Sequence, residues 1–328
     1  MTENKKENTD LRSPLGGQGA VRIVFMGTPE FAVASLDALV KAGFNIVGVI
    51  TAPDKPAGRG MKLQESPVKK YAVEQGLHIL QPEKLKNPQF LEELKALQAD
   101  IQVVVAFRML PEVVWNMPPM GTINVHGSLL PQYRGAAPIN WAIINGERET
   151  GVTTFKLQHE IDTGNILLQE RIPIGENETA GEVHDRMKEI GAAVLVKTIQ
   201  GLIDGSLTEK PQQSLLESTS FTINHAPKIF TETCRIDWTK SATEVHNLIR
   251  GLSPYPGAFT QLNGKMLKIY RSLKESETPA IEPGGFDTDK KSFLRFACAD
   301  GYIQVKELQL EGKKKMIIEE FLRGYRFE

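Results

Sequence analysis

Val21-Arg22-Ile23-Val24-Phe25-Met26-Gly27-Thr28-Pro29-Glu30-Phe31 decides the architecture of the first half of the chain. The residues from Val21 to Met26 form an apolar run of the length of a buried strand, and Gly27-Thr28-Pro29 is a turn that feeds a helix. Thr28 is the expected N-cap and Pro29 the first helical residue. Phe31, Ser35, Leu36, Leu39 and Val40 recur at helical spacing, and Gly43 suits the C-terminal cap. Residues 46–50 read as the next strand. The alternation continues through strand-like runs at 77–80, 101–106 and 123–125, the pattern of a parallel α/β sheet with crossover helices. A dinucleotide site is not expected on the first turn. Gly27 is followed by Thr-Pro-Glu and not by GxGxxG, and Glu30 puts a negative charge where a pyrophosphate would lie.

From Gly151 the pattern changes. Strand-like runs at 152–157 and 166–172 precede a long helix over about 180–204. It opens on the capping pair Thr179 and Glu182 and carries Val183, Met187, Ile190, Val194 and Leu202 on one face, with Gly205 at its end. Residues 207–233 are polar and read as a linker. Ser241 and Glu244 cap a second helix that Gly251 ends. Strand-like pieces at 258–262, 266–270, 293–298 and 302–308, separated by Gly, Pro and Asp clusters, fit a small β-barrel. Residues 1–20 are polar and glycine-rich and read as a disordered extension without the apolar core of a secretory signal.

With 328 residues the chain has the length of two domains, and its 41% hydrophobic and 24% charged content is that of a soluble globular protein. No apolar run reaches the roughly 18 residues that span a bilayer. The net charge of −1 confines any nucleic-acid contact to a local patch. Cys234 and Cys298 lack CxxC or Cys/His spacing, which argues against a disulfide framework or a metal site and for a cytoplasmic location.

The chemistry concentrates in Ile123-Asn124-Val125-His126-Gly127-Ser128-Leu129-Leu130-Pro131-Gln132-Tyr133-Arg134-Gly135. Asn124 and His126 alternate along a strand end and therefore share a face. The carboxyl ends of parallel strands are where open α/β sheets bind ligands. Downstream, Asp162 stands in the loop His159-Glu160-Ile161-Asp162-Thr163-Gly164. An amide and an imidazole can donate to the oxyanion of an acyl-transfer intermediate, while a carboxylate keeps the imidazole protonated and oriented. A core histidine and a turn-forming aspartate explain the same residues taken singly.

Asn-x-His followed by Ser-Leu-Leu-Pro, with a later Asp-x-Gly, resembles the signature of the folate-dependent formyltransferases. Gly27-Thr-Pro-Glu-Phe31, Pro53-Asp-Lys-Pro-Ala-Gly-Arg-Gly60, Ser66-Pro-Val-Lys69, Lys228-Ile229, Ile236-Asp237-Trp238 and Glu307-Leu308-Gln309 resemble the methionyl-tRNA branch of that family. The likeness covers nearly all of residues 21–328. It implies a Rossmann-like catalytic domain over 21–206, the linker, and an OB-like tRNA-binding barrel over 234–328. It implies catalytic roles for Asn124, His126 and Asp162, and a folate site along Ser128, Leu129, Leu130 and Pro131. That site is completed by the loop Phe107, Arg108, Met109 and Leu110, which reads one residue shorter than the Tyr-Gly form of many members.

The resemblance also implies direct formyl transfer from 10-formyltetrahydrofolate to initiator methionyl-tRNA, with no metal. The basic stretch from Asp54 to Lys70 is then a tRNA-binding loop, with Lys55, Arg59, Lys62 and Lys69 as its contacts. Gly58 and Gly60 make the backbone beside Arg59 permissive. Charge alone would equally allow a solvated loop. Lys313-Lys314-Lys315 and Arg323 supply a further local stripe of positive charge. A sugar-nucleotide N-formyltransferase, a formyl-folate hydrolase and a tRNA-binding module without catalysis are the competing readings. A monomer is expected, because no exposed heptad or long apolar edge stands out.

Overall fold

The computed structural model describes residues 20–57, 62–217 and 222–327. All of the expected extension except Ala20 lies outside the described residues, as does Arg59. Two compact units divide the chain. The first holds the residues up to Val125, Thr154–Leu157 and Ala192–Lys210, and the second holds His126–Thr153, Gln158–Gly191 and the chain from Pro211.

In the first unit, β1 (Arg22–Gly27) leads through α1 (Glu30–Lys41) to β2 (Asn45–Ile50). A short hairpin follows, β3 (Lys55–Ala57) and β4 (Lys62–Gln64), then α2 (Pro67–Glu74) and β5 (Ile79–Leu80). The unit continues with α3 (Pro88–Ala96), β6 (Ile101–Val105), α4 (Glu112–Trp115) and β7 (Thr122–His126). Strand order is β7-β6-β1-β2-β5, and each of these pairings is parallel, as a Rossmann-like layer requires. β6 and most of β1 are buried, so they read as continuous apolar runs and not as alternating ones. Val24, Met26, Ile50, Phe90, Leu94, Val104 and Val114 form an apolar cluster on the sheet. The Leu157 N–H donates to the Thr122 carbonyl at 2.8 Å, and the hydroxyls of Thr154 and Thr198 meet at 2.7 Å.

One local expectation is corrected. Thr28 does not cap α1: Pro29, in extended conformation, is the N-cap, and it has no side-chain hydroxyl to donate or accept. The negative charge of Glu30 in the first turn supports the exposed helix N–H groups instead.

In the second unit, β8 (Arg134–Gly135) and α5 (Pro138–Ile144) precede β9 (Glu149–Lys156), whose end belongs to the first unit, and its sheet neighbour β10 (Ile166–Pro173). The long helix α6 runs Ala180–Ile203, and from Ala192 onward it belongs to the first unit. The Thr179 N–H donates to Glu182 at 2.9 Å, and the Glu182 N–H donates back to the Thr179 hydroxyl at 3.3 Å, the expected capping box. The stretch read as a linker contains α7 (Gln212–Glu217) and β11 (His225–Ala226), which pairs with β8 in parallel.

Next come α8 (Ala242–Gly251), capped by Ser241 and Glu244, and the strands β12 (Ala258–Leu262) and β13 (Lys265–Glu275). β14 (Phe286–Thr288), β15 (Leu294–Ala297), β16 (Tyr302–Leu310) and β17 (Met316–Ile317) follow, and α9 (Ile318–Gly324) comes last. The strands form an antiparallel sheet of order β12-β13-β16-β15-β14, with β17 on β16. Register shifts around Arg271 bend β13 against β16, as bulges do in small barrels. Ile249, Leu267, Ile269, Phe296 and Val305 fill its core, and Trp238 stacks on Phe296 at 4.7 Å. Among the described residues no helix is long and apolar enough to cross a membrane.

Candidate active site

β7 ends on His126, and Asn124 stands two residues earlier on the same strand, so the strand's pleat gives both side chains one face. His126 is buried. Its Nε2 is 2.9 Å from the Tyr133 carbonyl, which can only accept, so this nitrogen carries the hydrogen. Nδ1 then faces Asp162, with Oδ2 3.9 Å away, a separation for charge–charge attraction or a bridging group and not for a direct hydrogen bond.

Burial pushes the His126 pKa below its ordinary value, and the Asp162 carboxylate and the Tyr133 carbonyl pull it back only in part. A ring kept protonated by Asp162 was the expectation from sequence. Desolvation works against that charge, and a carboxylate 3.9 Å away offsets it only in part.

The Asp162 carboxylate is aimed by its backbone. Asp162 has φ of 55°, a left-handed conformation that its short polar side chain tolerates, and Oδ2 accepts the Gly135 N–H at 2.9 Å. Gly135 itself has φ of 126° and lies against Ala226. The Ala136 and Ala137 N–H groups both donate to the Ala226 carbonyl, at 2.7 and 3.2 Å, so β11 fastens this loop. Tyr133, which presents the carbonyl to His126, is also left-handed at φ of 58°. Its N–H donates to the Asn224 carbonyl at 2.7 Å and its hydroxyl to Glu147 at 2.6 Å.

The Ser128–Pro131 stretch is held through its backbone. The Leu130 N–H donates to the Thr153 hydroxyl at 3.1 Å, the Thr153 hydroxyl donates to the Ser128 carbonyl at 2.6 Å, and Gln169 donates to the Leu130 carbonyl at 2.9 Å. The Ser128 hydroxyl donates to the Gln132 carbonyl at 2.6 Å. These bonds fix the chain path from Ser128 to Gln132.

In the first unit, the loop after β6 divides its side chains. Leu110 is buried in the apolar cluster and Phe107 packs against it, while Met109 is 74% exposed. The Arg108 guanidinium lies over the Phe107 ring and donates to the Glu83 carbonyl at 2.8 Å and to the Pro82 carbonyl.

The basic stretch is built on β3 and β4, paired from Lys55–Gln64 to Ala57–Lys62. Lys55 is exposed, the side chain of Lys62 lies outside the description, and so does all of Arg59. Lys69 is occupied: it pairs with Asp54 and with Glu65 at 3.0 Å. The same contact with Lys69 holds the Asp54 carboxyl below its usual range. In the second unit, Lys313, Lys314 and Arg323 are exposed, and Lys315 pairs with Glu307 at 2.6 Å.

Sequence reading missed Tyr133, Gln212 and Asn224 as parts of this site. Tyr133 is engaged through its carbonyl, a group every residue has. Gln212 and Asn224 lie in polar stretches far along the chain, where composition points only to a loop.

Two family models match the chain: that described as formyl transferase over residues 21–199, and that described as formyl transferase, C-terminal domain, over residues 228–326. A methionyl-tRNA formyltransferase of Bacteroides fragilis is 52% identical over 310 residues, covering 93% of this chain and 95% of that one. A methionyl-tRNA formyltransferase of Phocaeicola vulgatus is 55% identical over 312 residues, covering 93% and 96%. A solved structure of an N-formyltransferase from Helicobacter canadensis, in complex with folinic acid and dTDP-3-aminofucose, shares the fold. Its TM-score is 0.66 at 23% identity, covering 90% of this chain and 100% of that one.

Proposed function

The chain belongs to the formyl transferase family, and from that premise we propose how its residues carry out the transfer. The protein is an enzyme that moves the formyl group of formyl-tetrahydrofolate to the amino group of methionyl-tRNA. The observation that carries this is identity above one half along 93% of the chain with enzymes of that name. The tRNA is the initiator form and the donor is 10-formyltetrahydrofolate.

Asn124, His126 and Asp162 are the catalytic groups. The Asn124 amide donates to the formyl oxygen as it gains negative charge. The His126 Nε2–H is committed to the Tyr133 carbonyl, so Nδ1 is the working nitrogen. As the methionyl nitrogen bonds to the formyl carbon, Nδ1 takes the proton this nitrogen sheds. Nδ1 returns that proton to N10 of the folate when the bond from N10 to the formyl carbon breaks. A neutral resting imidazole suits this role, and Asp162 stabilises the imidazolium formed on the way. No enzyme nucleophile is needed. Positioning and charge stabilisation supply the rate.

Ser128 to Pro131 and the loop of Phe107, Arg108, Met109 and Leu110 hold the folate. Lys55, Arg59 and Lys62 contact tRNA phosphates, while Lys69, paired with two carboxylates, braces the base of the hairpin. We assign residues 21–206 to catalysis, 207–233 to a connector and 234–328 to tRNA binding, in a cytoplasmic monomer. The test is incubation of the purified protein with charged initiator tRNA and 10-formyltetrahydrofolate. Formylmethionyl-tRNA and tetrahydrofolate in equal amounts are expected, and free formate without formylmethionine would contradict the assignment.

A further inference from the structure

Gln212 is the first residue of α7, in a stretch whose composition reads only as a connector, yet it is 2% exposed. Its amide is used from both ends. Nε2 donates to the Asp162 carbonyl and to the Gly164 carbonyl, each at 2.8 Å. Oε1 accepts from the Arg134 guanidinium, from Nη2 at 2.6 Å and from Nε at 3.1 Å. One buried side chain therefore ties the turn that carries Asp162 to the strand residue that precedes Gly135. Gly135 is in turn the backbone donor to the Asp162 carboxylate.

The chemistry of the amide explains why this residue type serves. Two N–H groups and one oxygen are needed at one point, donors toward carbonyls and an acceptor toward a cation. A carboxylate would meet the two carbonyl oxygens with like polarity, and an apolar side chain would leave the Arg134 guanidinium and both carbonyls short of partners in a buried place. Asp162 is also in a left-handed conformation that its surroundings must hold. Fixing the carbonyls on either side of Thr163 fixes that turn.

We infer that Gln212 is a positioning residue for the formyl transfer, acting by clamping the Asp162 turn and the Arg134–Gly135 strand so that the Asp162 carboxylate stays opposite His126. This rests on the catalytic reading of His126 and Asp162 given above.

The experiment compares Gln212→Leu, Gln212→Glu, Asp162→Asn and the double variant of Gln212→Leu with Asp162→Asn in the full chain. Steady-state formylation of methionyl-tRNA is measured together with thermal unfolding. Gln212→Leu and Gln212→Glu should each lower kcat roughly 10- to 100-fold, the effect of losing buried hydrogen bonds that orient a reacting group. KM for tRNA and for folate should move by less than about threefold, since neither substrate is held by Gln212. The double variant should be little worse than Asp162→Asn alone, because both changes remove the same carboxylate from its post.

Gln212→Glu keeps the side-chain volume and the acceptor for Arg134, so it decides the matter if the leucine variant does not fold. A Gln212→Glu enzyme with kcat within about twofold of wild type would overturn the inference, as would losses that multiply in the double variant. If Asp162→Asn itself retains full kcat, the catalytic reading beneath the inference fails. A crippled Asp162→Asn beside an unaffected Gln212→Glu would sink the inference alone.

Discussion

Replacing Gly135 by alanine perturbs the site through backbone alone. A Cβ there would stand 2.4 Å from the Ala226 carbonyl oxygen and 3.0 Å from its carbon. Both are main-chain atoms, so no side chain can swing aside. The Ala226 carbonyl also accepts the Ala136 and Ala137 N–H groups, so pushing it away weakens those bonds as well. The φ of 126° adds its own penalty for a residue with a Cβ. Backbone strain of about 1–3 kcal/mol and overpacking of about 1–3 kcal/mol exceed what this loop can absorb in place, so the loop shifts.

The Gly135 N–H then leaves the Asp162 carboxylate, and the neighbouring Tyr133 carbonyl leaves His126. A displacement of about 1 Å at a reacting constellation costs on the order of 10²-fold. The assay is kcat for methionyl-tRNA formylation beside the thermal midpoint. Gly264→Ala serves as the control: Gly264 has φ of 75° with open space around its Cβ position, so it reports positive-φ strain without a clash. Gly135→Ala should lose kcat on the order of 10²-fold and Gly264→Ala none. Equal kcat in the two variants would show that the close approach of Ala226 to Gly135 does not position the Asp162 carboxylate.

Three further outcomes are expected. In NMR titration of the free enzyme, the His126 ring, identified by the signal lost in His126→Gln, should titrate below the ordinary histidine value. Asp162→Asn should lower it further by removing the charge that favours imidazolium; a rise would contradict the geometry. His246 is driven down to about 4, chiefly by burial and also by the charges of Arg250 and Lys274. Because its folded value is depressed, its contribution is present above about pH 6.5 and is lost as pH falls toward the folded value. It is on the order of 3 kcal/mol, and His246→Gln should flatten the fall in unfolding free energy across that window. Arg59→Glu should weaken use of tRNA and flatten its salt dependence while leaving the folate Kd unchanged, and equal loss toward both substrates would argue for misfolding.

Much of this was legible in the sequence because the signals are local. Apolar runs and turn residues marked β1, β2, β6 and β7, and the Thr179 and Ser241 capping boxes lie where a three-residue spacing put them. Strand periodicity alone was enough to place Asn124 and His126 on one face. What was not legible depends on long-range contact. The clamp by Gln212 joins residues 50 apart, and the β11 contacts bring Ala226 to Gly135. Neither leaves a periodic trace. The burial that lowers the His126 pKa also left no trace, because a linear pattern does not report desolvation. Thr28 misled because the proline after it took the cap position.

If Asn124, His126 and Asp162 drive formyl transfer to methionyl-tRNA, the transfer step itself must depend on them. Single-turnover transfer isolates that step, measured by rapid quench with enzyme in excess over charged initiator tRNA and saturating 10-formyltetrahydrofolate. Asn124→Ala should slow the transfer step on the order of 10²–10³-fold, the loss of one oxyanion donor, with tRNA and folate affinities unchanged. A transfer rate equal to that of wild type would rule out Asn124 as an oxyanion donor.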